Sequence, residues 1–127
     1  MNNNSFRDPV QAAGFRARSV ARTEVQKALL ALWNVRGMQY VKSYWDEFWK
    51  SWDAYNNAVR ELEHKSVEQR SEPWKQVDVL AGEFDFIALE SARFAAREFL
   101  KVSENAHEGL KQAMAAATAC WDVSKTQ

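Results

Sequence analysis

The sequence predicts an all-α protein, either a long antiparallel helical hairpin or a four-helix bundle, and in both cases an oligomer. The first observation is a heptad spacing of large apolar residues from Val41 to Leu62, which is typical of a helix packed against other helices. The second is a polar segment at residues 63–73 that contains Pro73 and interrupts the helical pattern. The third is the lack of strand signals, since the chain has no sustained apolar–polar alternation and no Asn-Gly or Asp-Gly turn.

The first helix is predicted from Gly14 to Arg36, where small and apolar residues recur at steps of three and four. Residues 1–9 are mostly polar up to Pro9, and we interpret them as a flexible tail. Gly37 could end the helix as a C-terminal cap, or lie inside a longer helix at a cost of about 1 kcal/mol relative to Ala. Because no polar loop residues surround Gly37, we expect a continuous or slightly bent helix at this position.

The predicted helix after Gly37 has an aromatic face where an ordinary zipper carries Leu or Ile. Its heptad positions are Val41, Trp45, Phe48, Trp52, Tyr55, Val59 and Leu62. Tyr44 and Trp49 make the stripe wider than one partner helix can cover, so we expect a bundle or a second subunit to cover the rest. The residues predicted to bind a second copy or a protein partner are Trp33, Tyr44, Trp45, Trp49 and Trp52. Core packing within one chain is the alternative, which helical spacing favours for Trp45 and Trp52.

The second half of the chain follows a predicted chain reversal near residues 64–72. Ser71 and Pro73 have the composition of a helix start, because the hydroxyl can accept a hydrogen bond from an unpaired backbone N–H. Apolar stripes continue the helical pattern towards Cys120, with a possible break near residues 103–105. The domain bounds that we predict are residues 10–123 for a single helical domain and residues 124–127 for a C-terminal tail.

The charge is distributed unevenly along a chain whose formal net charge is zero. Residues 1–36 hold six basic and two acidic side chains, a balance of +4, whereas residues 71–127 hold six basic and nine acidic ones, a balance of −3. We therefore predict that the basic segment meets acidic side chains of the second half, in its own chain or a neighbour's. The basic residues assigned to this role are Arg16, Arg18, Arg22 and Lys27, and their expected partners are among Glu83, Glu90, Glu98, Glu104 and Glu108. Nucleic-acid binding through the same basic segment is the alternative, although DNA- and RNA-binding proteins usually have a stronger basic excess.

Two short stretches are similar to known families. The run Arg16–Glu24 (RARSVARTE) resembles the Arg-Ala-x-x-(Ile/Val)-Ala-Arg-Thr-Glu run of phage minor head morphogenesis proteins, but the cysteine- and histidine-bearing region that follows in that family has no counterpart here. The aromatic run at residues 44–52, with Trp74 after it, is similar to proteins that coat polyhydroxyalkanoate granules. These resemblances imply two alternatives, a phage structural protein and a phasin-like protein that binds a granule surface or a hydrophobic ligand.

Enzyme chemistry has little support in the residues. Glu61 and His64, and again Glu104 and His107, have the Glu-x-x-His spacing of di-metal bundles, but the further core Glu residues that such a site needs are poorly supplied. Cys120 has no histidine near it in sequence, and the chain has no Gly-rich phosphate loop. We therefore predict a non-enzymatic interaction or assembly protein with no catalytic residue, metal or cofactor. A single cysteine and the lack of a secretory signal or a bilayer-spanning run predict a cytoplasmic location.

Overall fold

The structure, a computed structural model, describes residues 9–65, 69–102 and 107–125, and it confirms the all-α prediction. The helices of this part of the chain are α1 (Pro9–Arg36), α2 (Met38–Glu61), α3 (Ser71–Val102) and α4 (His107–Lys125). A 3-10 turn at Leu62–His64 follows α2, and the described residues contain no β-strand. The tail predicted at residues 1–9 lies outside the described residues except for Pro9. At the other end, α4 ends at Lys125 rather than at residue 123.

The continuous helix expected at Gly37 is wrong, because the chain turns back at this residue. Gly37 has φ +96° and ψ 159°, a backbone conformation that is essentially confined to glycine. Its N–H still donates to the carbonyl of Trp33 at 2.8 Å and closes the last turn of α1. The ring centroids of Phe15 and Trp52 lie 6.1 Å apart, and α1 therefore lies alongside α2. One glycine thus replaces the polar loop that a chain reversal usually needs.

Consecutive helices also pack against each other beyond α2, α2 against α3 and α3 against α4. Tyr44, early in α2, stacks on Phe94, late in α3, with ring centroids 3.9 Å apart. Tyr55, late in α2, stacks on Phe84, and α2 and α3 are therefore antiparallel. Helix α4 packs against both α3 and α1, and α1 also contacts α3.

The core combines large side chains from α2 with small side chains from its neighbours. The heptad positions of α2 are buried except Trp45, which is partly buried. Alanines line the facing surfaces of α3 and α4 and allow the helix backbones to approach closely. The buried alanines of these two helices are Ala81, Ala88, Ala92, Ala95, Ala113 and Ala117. The aromatic face of α2 is therefore covered largely within one chain.

Candidate functional site

Three tryptophans from α1 and α2 form a partly exposed aromatic surface, which we call the indole patch. Trp33 on α1 meets Trp45 on α2 edge to face, with ring centroids 5.5 Å apart. Trp45 in turn meets Trp49 at 5.7 Å. All three are only partly buried against the core. Leu30 lies one helical turn before Trp33 and is 39% exposed, so the apolar surface continues along α1.

Arg22 lies against the inner side of the indole patch. Its guanidinium carbon is 5.9 Å from the ring centroid of Trp49 and 5.3 Å from that of Trp52, which are cation–π distances. The Arg22 Nε and the Trp49 Nε1 are both buried and find no hydrogen-bond acceptor in the described part of the chain. A buried donor without an acceptor costs about 1–3 kcal/mol. These two donors therefore lie beneath the aromatic rings and not at the exposed surface of the patch.

Two of the five residues predicted to bind a partner lie outside the indole patch. Trp52 is 8% exposed and packs against Phe15, Tyr55 and Phe84, and it is therefore part of the core. Tyr44 is partly buried and stacks on Phe94 on the α3 side of α2. The structure brings together only Trp33, Trp45 and Trp49, and their binding role stays a prediction.

Arg18 forms a buried ion pair with an acid of the second half of the chain, but this acid is Asp85 and not one of the glutamates that we expected as partners. Its Nε and one terminal nitrogen each donate to a carboxylate oxygen of Asp85 on α3, both at 2.9 Å. Arg18 is 3% exposed and Asp85 is fully buried. The guanidinium also lies 5.2 Å from the ring centroid of Tyr55 on α2, and the thiol of Cys120 on α4 donates to the same carboxylate. One buried polar cluster therefore joins all four helices.

Burial and the neighbouring charges raise the pKa values of three groups in this cluster, Arg18, Tyr55 and Cys120. Burial alone would lower the pKa of Arg18, but the hydrogen bonds to Asp85 and the nearby charge raise it overall. Burial raises the pKa of Tyr55 to about 12. Burial, reinforced by the Asp85 carboxylate, raises the pKa of the Cys120 thiol. Because a thiol is nucleophilic only as the thiolate, Cys120 is a buried hydrogen-bond donor at neutral pH.

Of the other basic residues in the first segment, Arg16 and Lys27 lie at the surface, and Arg36 contacts an acid of α3. Arg16 and Lys27 are exposed, and Lys27 lies 3.5 Å from Glu24 of its own helix rather than near an acid of the second half. Arg36 lies 3.7 Å from Glu98 on α3. The hydroxyl of Tyr40 donates to the same carboxylate and, with Lys101, lowers the pKa of Glu98. Within one chain, the basic segment therefore contacts two acids of the second half, Asp85 and Glu98. The side chains of Glu104 and Glu108 are not among those that the structure describes.

The sequence contains a signal for the buried ion pair that charge counting missed. Arg18 occupies one position of a heptad of small and apolar residues in α1, formed with Gly14, Ala21, Val25, Ala28 and Leu32. Asp85 occupies one position of a similar heptad in α3, formed with Ala81, Ala88, Ala92, Ala95 and Phe99. A single charged residue in each of two apolar stripes, with opposite signs, indicates a buried pair.

No group of three or more His, Cys, Asp or Glu side chains that could hold a metal ion occurs among the described residues. Glu61 and His64 are both exposed at the end of α2, and the side chains of Glu104 and His107 lie outside the described part. In that part, no helix is long and apolar enough to cross a membrane. No protein-family model, curated protein or solved structure matches this chain.

Proposed function

We propose that this chain is a non-enzymatic interaction or assembly protein that binds a partner, or a second copy, through the indole patch. The observation that supports this most is the ladder of Trp33, Trp45 and Trp49, which the chain leaves partly uncovered. Tryptophan and arginine are enriched among the residues that contribute most to binding at protein interfaces. Arg22 packs beneath Trp49 and Trp52, so the patch also has an arginine below its rings.

The packing of the helices supports a division between a folding core and a binding surface. We propose that the four helices form one antiparallel bundle in which each helix packs on the next and α4 closes against α1. Phe48, Trp52 and Tyr55 fill this core around Phe84, so that folding does not require another subunit to cover them. The outer indoles are then available for a partner.

The test compares Trp45→Ala with Val20→Ala, which removes an exposed apolar side chain from α1. Trp45 is the central member of the ladder, whereas Val20 is not one of its members and is 56% exposed. Sedimentation of the full chain measures self-association, and mass spectrometry of what co-purifies from the native source identifies a partner. We expect Trp45→Ala to weaken association about tenfold or more while unfolding stays cooperative, and Val20→Ala to change little.

The alternative functions predict different binding results for these and related variants. If Trp33→Ala and Trp45→Ala both leave every association unchanged, the indole patch is not the binding surface. Binding to polyester particles that is lost in Trp45→Ala favours a granule-surface protein instead. Nucleic-acid binding that is lost when Arg16 and Lys27 are changed to Glu favours the nucleic-acid alternative. Of the four basic residues assigned to this segment, two are exposed, because Arg18 is buried and Arg22 packs under the indoles.

A further inference from the structure

The outward face of α3 has two large apolar side chains that the described helices leave uncovered. Val79 is 57% exposed and Phe86 is 56% exposed. They lie seven residues apart, two helical turns, and therefore on the same side of α3. This side is opposite the buried stripe of α3, which includes Phe84, Ala88 and Ala95. Val79 and Phe86 therefore give this face apolar surface that a partner helix could cover.

The charges on this outward face change sign between Val79 and Arg97, where Glu83 and Glu90 precede Arg93 and Arg97. Nearer the start of α3, the exposed Glu72 and Lys75 pair with each other at 2.9 Å. Glu90 and Arg93 pair with each other at 3.4 Å across the point where the sign changes. Glu83 and Arg97 are exposed, and neither forms an ion pair within the described part of the chain. Each end of the face therefore has an unpaired charge.

We propose that the occupant of this face is a second copy of the chain, whose α3 packs antiparallel to the first across a two-fold axis. A face that runs from acidic to basic is complementary to itself when one copy is reversed, because the acidic half of each copy then meets the basic half of the other. A parallel arrangement would place like charges opposite one another.

The spacing of the charges defines the register. Glu83 and Arg97 are separated by about 21 Å at 1.5 Å per residue, and a two-fold axis midway between them crosses α3 at the level of Glu90. Glu83 of each copy then lies level with Arg97 of the other, which makes two symmetric ion pairs. Phe86 lies between the levels of Arg93 and Arg97 in the second copy, where an aromatic ring can contact a guanidinium. The Glu90 side chains of the two copies lie level with each other at the axis, where each keeps its own partner, Arg93.

This interface is separate from the indole patch, which lies on α1 and α2, and it goes beyond the proposed function. An α3 dimer would present two indole patches in one particle. A partner with two matching sites would then bind more tightly than each patch binds alone.

Complementary charge reversal tests the dimer on the full chain. Glu83→Arg places an arginine opposite Arg97, and Arg97→Glu places two glutamates opposite each other, so each variant alone should be impaired in dimerisation. An equimolar mixture restores both ion pairs in the mixed dimer, because the new arginine meets the new glutamate and the original Glu83 meets the original Arg97. Glu and Arg are both good helix formers at exposed positions, and the fold should therefore tolerate either change. Arg16→Glu is the matched control, since Arg16 is an exposed arginine on α1.

Sedimentation equilibrium should give twice the chain mass of 14.6 kDa for the wild type and for Arg16→Glu. Each single reversal on α3 should raise the dissociation constant about tenfold or more, and the mixture should return it to near the wild-type value. Phe86→Ala should also weaken the dimer. A monomeric wild type, an unchanged dimer in Glu83→Arg, or a mixture that fails to associate would each overturn the proposal. If Trp45→Ala abolishes a dimer that Glu83→Arg leaves intact, the α3 interface is wrong while the indole patch stands.

Discussion

Arg18 and Arg22 lie four residues apart on the same helix, yet they differ in their hydrogen-bond partners. Both guanidinium groups lie against aromatic rings of α2, Arg18 near Tyr55 at 5.2 Å and Arg22 near Trp52 at 5.3 Å. Arg18 also has the buried carboxylate of Asp85, with two hydrogen bonds of 2.9 Å. The Arg22 Nε has no acceptor in the described part of the chain.

This difference separates a structural arginine from one that borders a binding surface. A buried pair with good geometry contributes specificity, since breaking it leaves an uncompensated charge in the core. A cation–π contact near the surface contributes about 0.5–1 kcal/mol. Substitutions in the core should therefore cost more stability than substitutions beside the indole patch.

Asp85→Ala should reduce the free energy of unfolding by about 3–5 kcal/mol, because it leaves the buried Arg18 charge without its partner. Chemical denaturation followed by circular dichroism measures this loss. The double variant Arg18→Met/Asp85→Leu should recover most of the stability, since apolar residues of similar volume often replace a buried ion pair at little cost. If Asp85→Ala loses less than about 1 kcal/mol, the pair is not a buried structural contact.

Trp52→Ala should cost about 3–5 kcal/mol of stability, because the indole is 8% exposed and contacts three other core rings. Trp49→Ala should cost less, since its ring is only partly buried, and should act mainly on association. Thermal unfolding and sedimentation on the same two proteins separate the effects. Equal losses of stability in both variants would contradict the division between core and indole patch.

Alkaline pH should destabilise the protein through Tyr55. Burial raises the pKa of Tyr55 to about 12 in the folded chain, while an unfolded tyrosine has a pKa of about 10. The unfolded chain therefore releases this proton first, and stability falls as the pH rises from about 10 to about 12, by roughly 2–3 kcal/mol in total. Urea unfolding at about pH 9 to 12 should show a smaller alkaline loss for Tyr55→Phe than for the wild type. Parallel pH profiles for the two proteins would contradict this.

Arg22→Met should change stability by less than about 1 kcal/mol, because the methionine keeps the packing on Trp52 and removes a donor that has no acceptor. Denaturation measures the stability, and the association assay for the indole patch measures binding. We expect binding to weaken more than folding does. A loss of stability as large as that of Asp85→Ala would show that Arg22 is as structural as Arg18.

The spacing of residues in the sequence predicted some of these features and missed others. The heptad from Val41 to Leu62 correctly indicated the buried face of α2, because helical periodicity places those residues on one side. A similar heptad spacing in α1 and α3 contains Arg18 and Asp85, but counting charges by segment gave glutamates and not Asp85 as the expected partners of Arg18. The turn at Gly37 was missed because a polar loop was expected, whereas a single residue without a Cβ can reverse the chain.

The sequence by itself determined that the protein is helical and where its large apolar faces lie, because both depend on residues within a few positions of one another. Only the tertiary structure decided which tryptophans are core and which are surface, since Trp52 is covered by Phe15 and Phe84 from two other helices. It also decided that Arg18 has a carboxylate partner and that the Arg22 Nε, among the described residues, has no acceptor. Those outcomes depend on residues up to 67 positions apart, and no local pattern specifies which of them meet.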